Sequence, residues 1–180
     1  MKQYKTLLID LDDTILDFGA SERYAIIKLM EFYGISVTDE NIELYHSINL
    51  RYWKDLEKGL VQREELILLR FIEFFSKFNK TISLEEAKIV NDKYFAFLSS
   101  VVFLIPESDK VLKKLKEKYQ ICLITNGVKR VQEGRLKLIG DLVNVFDKIF
   151  ISEEIKYTKP DVNFSAHVLK ELGRNKDECL

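Results

Sequence analysis

Residues that staple, stiffen or loosen a chain are scarce in this sequence: 180 residues include two cysteines, two prolines and seven glycines. Cys122 lies inside the apolar run Ile121-Cys122-Leu123-Ile124 and Cys179 is next to last, so neither belongs to a disulfide framework or a metal-ligand spacing. Such usage fits a reducing cytoplasm. The scarcity of proline, with no low-complexity tract and no internal repeat, argues against a long flexible linker and a repeat array. An excess of one charge is also missing: 28 basic and 29 acidic residues, spread along the chain, leave a net charge of -1. A nucleic acid polymer demands a basic footprint and is a poor partner for such a chain, whereas a single nucleotide is compatible with it. Nor is there a long apolar stretch. The first hydrophobic run, after Met1-Lys2-Gln3-Tyr4-Lys5, stops at Asp10, too soon for a secretory signal or a membrane span. What remains is a chain with 47% hydrophobic residues, long enough to bury a core as one domain or as one domain carrying an insertion.

Tyr4 to Ile9 is an apolar run, interrupted by Lys5 and Thr6, that ends in carboxylates: the pattern of a buried strand delivering polar groups to its tip. From about Ala20 to Leu98 the spacing becomes helical. Ala25, Ile26, Leu29, Met30 and Tyr33 precede Gly34, a helix stop, and a second helix starts near Thr38 or Asp39. A third carries Ile67, Phe71, Phe74, Phe75 and Phe78, and a fourth opens with the capping box Ser83-Leu84-Glu85-Glu86 and continues through Ala87, Val90, Tyr94 and Phe97. After Pro106, Ser108 can cap a helix bearing Val111, Leu112 and Leu115. Then come a strand at Gln120 to Ile124, a helix from about Val128 to Leu138, a strand at Lys148 to Ile151, and a helix from about Asn163 to Leu172 before Gly173. The βαβα order implies an α/β fold with a parallel sheet, interrupted by a compact helical insert.

In an open parallel sheet, ligands bind beyond the carboxyl ends of the strands. Three tips here carry chemistry: Asp10-Leu11-Asp12, Thr125-Asn126, and Lys159 in the segment Thr158-Lys159-Pro160-Asp161 after the third strand. Singly, each has a plain explanation as a solvated turn, a helix-entry turn or a surface lysine. Jointly, two carboxylates, a hydroxyl, an amide and an ammonium are what is needed to bind a phosphoryl group with a metal and attack it. Phosphoryl transfer rests on charge neutralisation and in-line positioning, and a hard cation such as Mg2+ suits two strand-tip carboxylates. One carboxylate can serve as nucleophile while a second protonates the departing alkoxide and then deprotonates water, roles that suit Asp10 and Asp12. Residues two apart in an extended turn point the same way, so both can converge while Leu11 anchors in the core. An EF-hand loop beginning here would need Gly and Glu where Ile15 and Ser21 stand.

These residues resemble the haloacid dehalogenase superfamily, in its phosphatase branch with a helical cap inserted after the first motif. Leu7-Leu8-Ile9-Asp10-Leu11-Asp12-Asp13-Thr14 looks like motif one, Ile124-Thr125-Asn126-Gly127 like motif two and Lys159-Pro160 like motif three. The resemblance implies a three-layer Rossmann-like core from residues 1–17 and 99–180, with a cap at 18–98. It implies Asp10 as nucleophile and metal ligand, and Asp12 as acid/base giving its backbone carbonyl to Mg2+. Thr125 and Asn126 would hold phosphoryl oxygens, and Lys159 would orient Asp10 and offset charge. An Asp at position 12, which the family's dehalogenases lack, favours phosphate-ester hydrolysis over carbon–halogen cleavage. Asn49 to Phe71, with Trp53, Glu57-Lys58-Gly59, Arg63-Glu64-Glu65-Leu66 and Arg70-Phe71, is similar to the branch of bacterial pyrimidine 5′-nucleotidases, so the expected substrate is a nucleoside monophosphate or another small phosphorylated metabolite. The family's fourth motif, an acidic pair after a later strand, has no counterpart. Ile139-Gly140-Asp141 imitates it but precedes Lys159 and follows a helix. The chain is therefore expected to be truncated just as a new strand begins at Asp177-Glu178-Cys179-Leu180, to leave one edge of the first strand unsatisfied, and to turn over slowly. Two other readings stand beside the phosphatase: a non-catalytic protein keeping the fold, and a phospho-accepting receiver domain. The latter would need an acceptor where Thr125 and Asn126 stand and has no room for the insert.

Overall fold

A computed structural model describes residues 4–180. In chain order the elements are β1 (Thr6–Asp10), α1 (Phe18–Tyr33), α2 (Asp39–Glu57), α3 (Arg63–Ser76), α4 (Leu84–Leu98), α5 (Ser108–Lys116), β2 (Gln120–Thr125), α6 (Lys129–Leu138), β3 (Lys148–Ile151), α7 (Ser152–Ile155) and α8 (Val162–Leu172), with short 3-10 turns at Gly140–Val145 and Lys176–Glu178. The chain divides into two compact units: residues up to Gly19 together with Ser99–Leu180, and Ala20–Leu98.

The first unit is built on a parallel sheet in the order β1-β2-β3. Asp10 lies opposite Ile124, and Thr125 opposite Ile151, so the polar residues at the ends of β1 and β2 lie side by side. Alternation along β2 sends its side chains into two separate layers. Ile121 and Leu123 pack with Leu11, Leu112 of α5, Leu136 of α6, and Leu142, Val145 and Phe146 beyond it. Cys122 and Ile124 pack on the opposite face with Phe150 and with Phe164 and Val168 of α8. Helices therefore cover both faces, which is why β1 and β2 read as apolar runs without a wet side. Burying one such Leu or Phe stabilises by roughly 1.5–3 kcal/mol.

Several boundaries differ from the sequence-based expectation. β1 starts later and includes Asp10, and β2 extends to Thr125, so these two residues end the strands themselves. Ser108 does not cap α5. That place belongs to Glu107, at φ 67°, while the Ser108 hydroxyl donates to the Ile15 carbonyl at 3.3 Å. Ile139-Gly140-Asp141 enters a 3-10 turn directly after α6, and α7 is a single turn with no amphipathic pattern to announce it. Gly173 closes α8 in the left-handed conformation that glycine adopts without strain, while Arg174 N–H returns to the Leu169 carbonyl at 3.1 Å. The expected bare edge of β1 is not found. Lys5 N–H donates to the Glu178 carbonyl (2.8 Å), Leu180 N–H to Thr6 (3.1 Å) and Leu8 N–H to Leu180 (2.7 Å), with Cys179 bridged parallel to Thr6. Residues 178–180 thus cover that edge as a fourth, parallel partner.

The second unit packs four helices through their apolar faces. Thr38 caps α2, its hydroxyl accepting from Asn41 N–H at 3.2 Å, and Ser83 and Glu86 form the expected box on α4. A further box, Gln62 with Glu65, starts α3. Tyr45, Phe71, Phe74 and Tyr94 meet at centroid distances of 5.3–5.6 Å and form the interior, whereas Phe78 lies past the end of α3. Within this interior Arg70, 2% exposed, donates to Asn49 Oδ1 (2.6 Å) and Asn91 Oδ1 (2.9 Å). Asn49 in turn donates to Glu22, whose other carboxylate oxygen pairs with His46. Burial pushes the Glu22 carboxyl above its ordinary value, with His46, Asn49 and Arg70 offsetting part of that rise. Among the described residues no helix is long and apolar enough to cross a membrane.

Candidate active site

β1 delivers Asp10 and the chain turns back immediately. Ile15 and Leu16 N–H both donate to the Leu11 carbonyl (3.0 and 2.9 Å), and Asp13 N–H donates to Leu16 (2.7 Å). Asp13 takes φ 57°, a left-handed conformation Asp tolerates better than most residues, and its carboxylate accepts from Phe18 N–H at 3.0 Å. Leu11, fully buried, pins the loop between the two carboxylates.

Asp10 Oδ1 accepts from Leu11 N–H at 2.8 Å and Oδ2 pairs with Lys159 Nζ at 2.8 Å. The lysine also donates to the Ile124 carbonyl at 3.2 Å. Its backbone is held by Asn126: Oδ1 accepts from Lys159 N–H (2.7 Å) and Nδ2 donates to the Lys159 carbonyl (2.9 Å). Asn126 therefore brackets the loop that presents the ammonium.

Asp12 belongs to a second string. Its Oδ2 accepts from Gln132 Nε2 at 2.9 Å, and the same nitrogen lies 2.9 Å from the Thr125 hydroxyl, which also accepts from Gly127 N–H at 3.3 Å. Asp12 Oδ1 pairs with Arg135 Nη1 at 2.6 Å, and Nη1 donates to Gln132 Oε1 at 3.0 Å as well. All five residues singled out in the sequence thus gather at the tips of β1 and β2: Asp10 with Lys159 and Asn126, and Asp12 with Thr125 through Gln132. Asp10 keeps 45% of its side chain exposed and Lys159 23%, open enough to meet a ligand.

Gln132 and Arg135 were missed by sequence reasoning. They lie three apart on α6 beside Val131 and Leu136, and all four are buried. A polar pair sharing the apolar stripe was the available signal, but Arg and Gln on an amphipathic helix ordinarily face solvent. Among the described residues no three His, Cys, Asp or Glu side chains converge as a ready-made metal cluster. The oxygens of Asp10 and the Asp12 carbonyl are nevertheless the donor type Mg2+ takes, since that ion commonly binds one or two carboxylates and completes its shell with water and phosphate oxygens.

Residues 4–180 match the family model described as haloacid dehalogenase-like hydrolase. The chain belongs to the haloacid dehalogenase-like hydrolases. Within that family it is 32% identical over 172 residues to "Putative HAD-hydrolase YfnB" of Bacillus subtilis, covering 96% of this chain and 72% of that protein. It is also 32% identical over 179 residues to "Pyrimidine 5'-nucleotidase PynA" of Streptococcus pneumoniae, covering 98% and 74%. A crystal structure of YfnB bound to magnesium superposes with a TM-score of 0.87, covering 94% of this chain and 74% of that one. An L-2-haloacid dehalogenase from Xanthobacter autotrophicus shares the fold at a TM-score of 0.72 and 15% identity. The hydrolase family and its nucleotidase branch are therefore those the motifs resemble.

Proposed function

We propose that this chain is a Mg2+-dependent phosphomonoester hydrolase that works through an aspartyl-phosphate on Asp10. The observation that carries the reading is the pairing of Asp10 with Lys159 at 2.8 Å beside an Asp12 held next to Thr125 by Gln132. A carboxylate oxygen of Asp10 attacks phosphorus and the ester P–O bond breaks. Asp12 gives its proton to the departing alkoxide. Asp12 then takes a proton from water, whose oxygen attacks phosphorus, and rupture of the Asp10–phosphate bond releases inorganic phosphate. Lys159 orients Asp10 and offsets charge on the transferring group. The Thr125 hydroxyl and the Asn126 segment line the phosphoryl site, Asn126 acting at least in part by fixing Lys159. Mg2+ would be held by Asp10 and the Asp12 backbone carbonyl and, when bound, neutralises phosphate charge.

The similarity to PynA supports a nucleoside monophosphate, or another small phosphorylated metabolite, as substrate. Free cysteines at 122 and 179 support a cytoplasmic setting. The helical unit, Ala20–Leu98, would serve as the cap that excludes water during the reaction. Purified protein with Mg2+ is expected to release phosphate from nucleoside monophosphates and from a generic aryl phosphate. Asp10→Asn is expected to abolish that release, and retention of activity by Asp10→Asn would overturn the reading.

A further inference from the structure

Arg135 is 0% exposed, yet its Nε and Nη2 have no hydrogen-bond partner among the described residues. Only Nη1 is hydrogen-bonded, to Asp12 and Gln132, and the guanidinium lies 5.7 Å from the centroid of the Phe18 ring. Leaving buried donors of a charged group unpaired is costly, and a buried ion pair is seldom more stable than apolar residues of the same volume. A helix built only to pack on the sheet would carry a Leu or Met there. Gln132 is buried as well, and it occupies the space a side chain at Gly127 would need: a Cβ there would come within 2.2 Å of Gln132 Nε2. Glycine at the turn between β2 and α6 is thus what lets Gln132 reach Asp12 and Thr125 together.

We propose that Gln132 and Arg135, one helical turn apart on α6, are positioning residues that clamp the Asp12 carboxylate for proton transfer to the leaving group. Each donor takes one lone pair, one on each oxygen of Asp12, and a carboxylate oxygen carries two. The one lone pair left on each oxygen then points in a fixed direction, so the proton is presented from a carboxyl group of set orientation instead of sweeping with side-chain rotation. This rests on the reading of Asp12 as acid/base given above. It adds that the aim of the acid is set from α6.

The test separates aim from structure by leaving-group chemistry. The full chain with Mg2+ is assayed on a nucleoside monophosphate, whose alkoxide needs a proton, and on 2,4-dinitrophenyl phosphate, whose phenolate does not. Because kcat/KM reports steps only through formation of the phosphoenzyme, the water-activating step does not enter the comparison. Arg135→Met and Gln132→Met are each expected to lower kcat/KM on the nucleotide about 100-fold, the lower end of a general acid's contribution, and on the aryl ester by no more than about threefold. Arg135→Lys, which keeps the charge and one donor, is expected to recover part of the loss. An equal loss on both esters, or none on the nucleotide, overturns the clamp. Should Arg135→Met fail to fold, Gln132→Met, which removes no charge, gives the same discrimination. A wild-type chain inactive on both esters, or an active Asp10→Asn, overturns the underlying reading instead, and the clamp with it.

Discussion

Glu22 shows what becomes of a carboxylate taken out of water. In Glu22 desolvation outweighs the hydrogen bonds from His46 and Asn49, and the carboxyl holds its proton to higher pH than the ordinary 4.5. Between 4.5 and the folded value the native state therefore binds more protons than the unfolded one. Its contribution to stability is complete below that window and is lost as pH rises through it. Glu22→Gln has no such titration, so the unfolding free energy of wild type minus that of Glu22→Gln is expected to fall as pH rises from about 4 to about 7. Denaturant melts at several pH values check this, and a constant or growing difference would contradict it. Asp10, Asp12, Thr125 and Asn126 were legible in the sequence because they stand at or just past the ends of apolar runs, where a parallel sheet presents side chains at its tips, whereas Lys159 lies beyond β3 and α7 and was legible only through the resemblance of Lys159-Pro160 to a family motif. Gln132 and Arg135 were not, because a polar residue on a helix defaults to solvent, and only the position of α6 over β2 reveals that these two point inward.

At the scale of elements, short-range signals served well where they are local and poorly where they depend on a neighbour. The Thr38 cap and the Ser83–Glu86 box are chemistry within four residues and were readable. The capping role of Glu107 follows from a turn that no adjacent residue dictates, and α7 is too short to show a period. In the helical unit, the aromatic residues at helical spacing form the core: Phe71 is fully buried, stacked on Tyr45 at 5.6 Å and edge-on to Tyr94 at 5.3 Å. Phe71→Ala is expected to destabilise by about 3–5 kcal/mol, measured by chemical denaturation, because the cavity cannot close against neighbours held by other rings. A loss below about 1 kcal/mol would show that the cluster is loosely packed. At the turn between β2 and α6, Gly127→Ala is expected to displace Gln132 and lower phosphate release while changing the melting temperature little. Unchanged release would show that Gln132 has another place to go.

For the molecule as a whole, the alternation of strands and helices fixed a parallel sheet covered on both faces, and the helical stretch between residues 20 and 98 forms its own compact unit. The fate of the β1 edge was only partly legible. Residues 177–180 read as the start of a strand, but four residues carry too little pattern to give a partner or a register, and it took the backbone pairing of Glu178–Leu180 with Lys5–Leu8 to assign them. The side chains at positions 10, 12, 125 and 159 gather beside the tips of β1 and β2, and the central proposal is that Asp10 carries phosphate during turnover. The most direct test uses Asp12→Asn with Mg2+ and an activated aryl phosphate, whose leaving group needs no proton but whose phosphoenzyme then lacks its base and accumulates. After an acid quench and proteolysis, mass spectrometry is expected to find the phosphate adduct on the peptide bearing Asp10 and to find none when Asp10→Asn is added. An adduct on another residue, or release of phosphate with no adduct at all, would contradict the account.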